Sequence, residues 1–289
     1  AVGIGLCRTE HMFLSSDRLS LVRAMILAET AEVEADALEQ LGAVQQADFE
    51  GILEAMDGLP VTVRLLDPPL HEFLPDIGDL VVAEARGELD PEGQALLKSA
   101  RYWTEVNPMM GTRGVRLAHL RPGLYRMQAT ALFSAVMTRR AAGGNPLVEV
   151  MIPLTVSGPE LALAVGWVRE AAVDVGMGEP PRVGTMIETP RAALLAGDLA
   201  VHADFFSVGS NDLTQLTFGF SRDDVGGRFM DLYLDRGLLD HNPFEHFDEA
   251  AVGELVDLAV IRGRRARPDL KVGVCGEHAG DPLSIPRLL

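Results

Sequence analysis

The chain has 289 residues, 47% of them hydrophobic, and a formal net charge of −17, enough length and apolar content for one large α/β domain with a substantial core. So acidic a chain excludes nucleic acid and anionic membrane as main partners, because both require a basic footprint. No run of about 18 uncharged apolar residues exists to cross a bilayer.

The first strand-like run, VGIGLCRTE over 2–10, has neither the basic start nor the apolar middle of a signal peptide, and a cytoplasmic location is the expectation. A helical stretch follows over about 17–56, rich in Ala and Glu with apolar residues at three- and four-residue steps. The second strand run is PVTVRLLDPP over 60–69; a helical stretch over 123–142 leads to the third, LVEVMIPL over 147–154. Three more strand runs, RVGTMIETP (182–190), DFFSVGSND (204–212) and KVGVCGEH (271–278), alternate with helical stretches over about 158–176, 190–201 and 248–266. Such alternation predicts parallel strands joined by helical crossovers, either an open doubly wound sheet or a closed (β/α)8 barrel. Arg8, Arg64, Glu188, Asp212 and Cys275 each stand at the C-terminal end of a different run, where a barrel collects its catalytic groups. The Gly-rich phosphate turn of a doubly wound sheet is absent after the first run, where GIGLCR leads into Thr-Glu-His. The expected fold is therefore a TIM-type barrel in one domain over 1–289. Only six runs are present, the chain begins almost inside the first, ends soon after the last and lacks an initiator Met. A barrel needs eight, so the expectation is an incomplete barrel within a larger protein.

Glu188 and Asp212 end consecutive runs, so parallel strands would set them side by side. Two carboxylates with oxygens from a ligand suit Mg2+. Helix capping competes for Asp212, which stands before LTQLTF; for Glu188 it competes less, because Thr189 before Pro190 is the better cap. Lysine occurs only at 98 and 271, so 23 of 25 basic residues are arginine, a bias that a GC-rich genome also produces. Arg8, Arg64, Arg113 in NPMMGTRG and Arg222 in GFSRDD lie near strand ends or glycine-rich bends. Together they could clamp a phosphate or carboxylate; individually, each could simply pair with the abundant Asp and Glu. The loop VGSNDLTQ presents backbone amides at a helix entry, with Asn211 as a further donor.

Two cysteines are too few for a disulfide scaffold. Strand alternation turns Cys7 away from the face on which Arg8 projects, as packing filler. Cys275 is either buried filler or, at the same strand-end edge as the carboxylates, a nucleophile or proton donor. His278 lies three residues on, but no His–Asp pair stands apart to complete a nucleophilic triad.

Nearly end to end, GIGLCRTEHMF, RLLDPPLHEFLP, NPMMGTRG, GTMIETPRAAL, FFSVGSNDLTQLTFGFSRDDVGGRF and VGVCGEHAGDPLSI resemble the C-terminal phosphoenolpyruvate/pyruvate-binding barrel of the pyruvate, phosphate dikinases. Phosphoenolpyruvate (PEP) synthase and Enzyme I of the sugar phosphotransferase system share the GSNDLTQ-like and CGE motifs. The resemblance implies Glu188 and Asp212 as Mg2+ ligands and Arg8, Arg64, Arg113 and Arg222 as anion-binding arginines. It implies Gly209, Ser210 and Asn211 as the loop contacting substrate, with Ser210 where the family usually has Thr. By the same resemblance Cys275 is the general acid that protonates C3 of a Mg2+-stabilised enolate as PEP yields its phosphoryl group, and deprotonates the pyruvate methyl in reverse.

In that family the phosphoryl group passes to or from a histidine on a separate mobile domain, charged in turn by an ATP-binding domain. No TSHAA-like segment or nucleotide loop is found here, so the chain alone would perform at most the pyruvate half of ATP + phosphate + pyruvate → AMP + diphosphate + PEP. The family barrel has one further strand before Ala1 and one after Leu289, neighbours in the closed barrel, and forms the contact of a homodimer. The competing readings are the equivalent domain of a PEP synthase or Enzyme I, separable by dependence on phosphate or a carrier protein, and a non-catalytic PEP/pyruvate-binding or dimerisation module, which would not need Cys275.

Overall fold

Six short parallel strands carry the chain in the computed structural model, which describes residues 2–13 and 15–288. They are β1 (Ile4–Arg8), β2 (Pro60–Arg64), β3 (Leu147–Ile152), β4 (Arg182–Ile187), β5 (Phe205–Val208) and β6 (Lys271–Val274). Each lies within one of the six apolar runs. Their order is β1-β2-β3-β4-β5-β6, so sheet neighbours are also sequence neighbours. That is the order of a (β/α)8 barrel; a doubly wound sheet reverses order at its switch point. The fold is α/β, with six parallel strands among the described residues in an arrangement consistent with a partial TIM barrel.

The chain divides into two compact units, Ala1–Val150 with Gly166–Pro181, and Met151–Val165 with Arg182–Leu289. In the first unit β1 pairs in parallel with β2, with Arg8 opposite Arg64. Helices α1 (Ser16–Leu27) and α2 (Ala31–Ala55) replace the single stretch expected over 17–56. The break falls where Thr30, in extended conformation, accepts the N–H of Val33 at 3.3 Å and starts a new helix. Two helices lay unassigned in the sequence reading, α3 (Ile77–Ala85) and α4 (Pro91–Trp103). Each starts at an aspartate cap: Asp76 accepts from Gly78 N at 2.7 Å, and Asp90 from Gly93 N at 2.7 Å, ahead of Pro91. After α5 (Val115–Leu120) comes α6 (Pro122–Ala141), which packs along α2 and buries Leu124, Tyr125, Leu132, Phe133 and Val136. Phe49, Leu53, Leu65, Leu66 and Phe73 complete this core at 1% exposure or less.

Helix α7 (Gly158–Asp174) follows β3. In the second unit β4 pairs in parallel with β5, and β5 with β6. The two short helices α8 (Pro190–Leu194) and α9 (Ala196–Ala200) pack on α13 (Glu254–Ala266) through buried Ala192, Ala193, Ala196 and Ala200. Between β5 and α13 lie α10 (Ser210–Phe218), α11 (Arg222–Val225) and α12 (Met230–Asp235); after β6 come a single 3-10 turn (Glu277–Gly280) and α14 (Ile285–Leu288). Val208, Leu213, Phe247 and Val252 form a buried cluster beneath the loop that joins β5 to α10.

Candidate functional site

Within the first unit, the C-terminal edge of β1 and β2 carries Arg8 and Arg64. Arg8 is exposed and Arg64 is buried. Asp67, three residues beyond β2 and 3% exposed, ties two of the predicted arginines together. Its Oδ2 lies 2.9 Å from Arg64 Nη1 and accepts from Arg113 Nη2 at 2.6 Å, while Oδ1 accepts from Arg113 Nε at 3.2 Å. Glu10 takes the other side of the Arg64 guanidinium. The Arg113 loop is also held through its backbone, Gly114 N donating to Asp67 O at 2.8 Å.

The segment bearing Arg64 and Asp67 is anchored by α6: Tyr125 donates its hydroxyl to Leu66 O at 2.9 Å and Gln128 Oε1 accepts Leu66 N–H at 2.8 Å. Both are fully buried. Thus Arg64 and Arg113 come together on one carboxylate in a low-dielectric setting, which fixes their geometry. The sequence reading named the arginines but not Asp67, Tyr125 or Gln128. For Asp67 a signal existed, since RLLDPP places an acid three residues after Arg64.

Cys7 is half-buried, and burial followed by the charge of Glu10 pushes its thiol above the ordinary 9.0. That disfavours a reactive thiolate, in keeping with a packing role.

Within the second unit, β4, β5 and β6 run parallel, so Glu188, Gly209 and Cys275 each follow directly on a strand at the same edge. Glu188 is fully buried, and its Oε1 accepts the backbone N–H of Leu154 at 2.6 Å. Leu154 takes a left-handed backbone, φ 58°, costing on the order of 1–3 kcal/mol for a residue with a side chain. A Cβ on Gly209 would come within 2.8 Å of Glu188 Cβ, Glu188 Oε2 and Met186 Cε. Only glycine lets the loop pass so close over the carboxylate.

Thr189 caps α8, accepting from Ala192 N at 3.1 Å, as expected. Asp212 stands third in α10, whose N-cap is Gly209, so N-capping is not its role.

The β6 turn is packed onto the same loop. A Cβ at Gly276 would collide with Ser210 Oγ and come within 2.9 Å of Ser210 N. Glu277 N donates to Asn211 Oδ1 at 3.2 Å, and because a backbone N–H can only donate, the Asn211 amide is oriented with Nδ2 as its donor end. The Cys275 thiol lies 3.6 Å from Val208 O, with Cys275 N on the same carbonyl at 3.0 Å. A carbonyl only accepts, so in this contact the thiol is the donor.

Arg222 Nη2 donates to both carboxylate oxygens of Glu277, at 2.6 and 2.7 Å. Both side chains are substantially exposed, so the pair contributes about 0–1 kcal/mol and an incoming anion can compete for it. Buried Arg64 and Arg113 differ in being held in place.

Among the described residues, no group of three or more His, Cys, Asp or Glu is gathered to hold a metal ion by itself. The residues nevertheless fit Mg2+, which takes one or two carboxylates and completes its shell with water and ligand oxygens. Buried Glu188 lies against Gly209, the N-cap of the helix α10 that carries Asp212, and two such carboxylates are the kind of donors Mg2+ takes. No described helix is long and apolar enough to cross a membrane.

A family model described as "PEP-utilising enzyme, PEP-binding domain" matches residues 1–289. The chain is 52% identical over 292 residues to pyruvate, phosphate dikinase 1, chloroplastic, of Oryza sativa subsp. japonica, covering 99% of this chain and 31% of that protein. It is 51% identical over 291 residues to pyruvate, phosphate dikinase 1, chloroplastic, of Arabidopsis thaliana (99% and 30%), and 52% identical over 292 residues to pyruvate, phosphate dikinase 2 of Zea mays (99% and 33%). The chain spans about a third of the length of these relatives.

Proposed function

Since the chain belongs to the PEP-utilising enzymes, as their PEP-binding domain, we propose that it is the part of a pyruvate, phosphate dikinase that interconverts pyruvate and PEP. The observation that carries this reading is the placement of Cys275, directly after β6, with its turn packed on Ser210 at the start of α10. A binding module would have no use for a proton donor there.

In the proposed reaction PEP gives its phosphoryl group to a histidine on another domain, and the O–P electron pair returns to the substrate to form the enolate of pyruvate. Cys275 then gives its proton to C3; in reverse, its thiolate removes one from the methyl group. Glu188 and Asp212 would hold Mg2+, whose charge would offset the developing negative oxygen when bound. Arg64 and Arg113, fixed by Asp67, and the more exposed Arg8 and Arg222 neutralise carboxylate and phosphoryl oxygens, which is the main demand of phosphoryl transfer. Gly209 and Ser210 offer backbone amides, and Asn211 its Nδ2 end. The partner histidine domain, the ATP-binding domain, a homodimeric assembly and a cytoplasmic location belong to the same proposal.

31P NMR of the full-length protein with ATP, phosphate and pyruvate tests it. Phosphate-dependent formation of diphosphate and PEP is expected. PEP formation that does not consume phosphate would assign the chain to a synthase instead.

A further inference from the structure

Beside Asn211, a second side chain that links the Cys275 turn to the start of α10 is His278, which is fully buried. Its Nε2 lies 2.9 Å from Pro243 O and its Nδ1 2.8 Å from Ser210 Oγ. The proton positions follow from chemistry. A carbonyl only accepts, so Nε2 carries the hydrogen; the neutral ring then offers Nδ1 as an acceptor, and Ser210 must donate. Burial supports the neutral ring by pushing protonation of His278 below its ordinary 6.5. The Ser210 hydroxyl proton is thereby directed at His278. An anion at this loop therefore meets the backbone amides and Asn211 Nδ2, without a proton from Ser210. The fit has no slack, because the space a Cβ at Gly276 would need is filled by Ser210.

We propose that His278 is a positioning residue for the pyruvate/PEP reaction: through Ser210 it sets the spacing between the first turn of α10, which bears Asn211 and Asp212, and the turn bearing Cys275, and Ser210 acts through this bond rather than on the substrate. The inference rests on the function proposed above. A misplacement on the order of 1 Å at a reacting group costs roughly a hundredfold in rate, and the lost hydrogen bond alone accounts for roughly tenfold.

The test measures kcat and KM for pyruvate in the full-length protein by Mg2+-dependent exchange of the pyruvate methyl protons in D2O. Ser210→Ala removes only the hydroxyl. His278→Gln retains a donor near the Nε2 position and loses the Nδ1 acceptor, whereas His278→Asn retains an acceptor near Nδ1. Expected are roughly ten- to hundredfold losses of kcat in Ser210→Ala and His278→Gln with KM changed less than about threefold, a double variant no worse than the poorer single, and partial recovery in His278→Asn. If the wild type exchanges and both single variants stay within about twofold in kcat, or their losses multiply, or Ser210→Ala raises KM alone, the positioning role is overturned while the function stands. A wild type without exchange overturns the function, and this inference with it. Ser210→Ala leaves His278 intact and carries the decision should the His278 variants fold poorly.

Discussion

Leu154 donates its backbone N–H to Glu188 at 2.6 Å from a left-handed conformation, φ 58°. A strained residue thus orients a fully buried carboxylate, which matches the expectation that strain collects where a site requires it. Glu188→Gln keeps the volume and an acceptor for Leu154 but loses the charge. Thermal denaturation with and without Mg2+ and pyruvate should show a folded protein whose Mg2+ affinity is weakened at least roughly tenfold. Unchanged Mg2+ stabilisation would remove Glu188 from the metal site.

Asp67 serves two buried arginines, and its neutralisation leaves both guanidiniums with one carboxylate fewer. Removing one partner of a buried ion pair costs about 3–5 kcal/mol. Asp67→Asn should therefore lower the urea midpoint by several kcal/mol equivalent and also weaken PEP. A loss under about 1 kcal/mol would contradict Asp67 as the tie that holds the cluster.

Tyr125→Phe deletes one hydroxyl from a fully buried ring and takes one hydrogen bond from Leu66 O. The expected cost is about 1 kcal/mol, measurable by chemical denaturation. Because Gln128 still holds Leu66 N, the Arg64 segment should stay in register and PEP affinity should change little.

Acid should weaken the second unit through His278. Its protonation is lowered in the folded state chiefly by burial; the Pro243 bond, Asp281 and Glu277 raise it and Arg222 lowers it. The unfolded chain takes the proton near the ordinary 6.5 and the folded chain only at lower pH, so this stabilisation is complete above 6.5 and is lost as pH falls through the lowered value. Asp281, held below its ordinary 3.8 by Ser284 and His246, stays charged throughout that window and adds no slope there. Stability measured between about pH 7.5 and about pH 5 should fall in the wild type and fall less steeply in His278→Gln. Equal slopes would contradict a neutral buried ring.

Strand positions were legible because each apolar run ends in Gly, Pro or a polar cluster, and the residues at those ends, Arg8, Arg64, Glu188 and Cys275, are where the strands stop. What could not be read depends on three-dimensional packing. The left-handed turn at Leu154 sits on a residue type that gives no warning of it. Gln128 and Tyr125 look like members of an amphipathic helix until Leu66 is beside them. His278 was visible only as a neighbour of Cys275, since its partners Ser210 and Pro243 lie 68 and 35 residues away in the chain. Helices α3 and α4 announce themselves only through the capping residues Asp76 and Asp90.

The central claim is that Cys275 moves the proton at the pyruvate methyl carbon. Proton NMR of pyruvate in D2O, with the full-length protein and Mg2+, measures that step without phosphoryl transfer. Loss of the methyl signal in the wild type, abolished in Cys275→Ala and in Glu188→Ala, is the predicted result. Exchange that persists at the wild-type rate in Cys275→Ala would contradict it and assign the proton to another group.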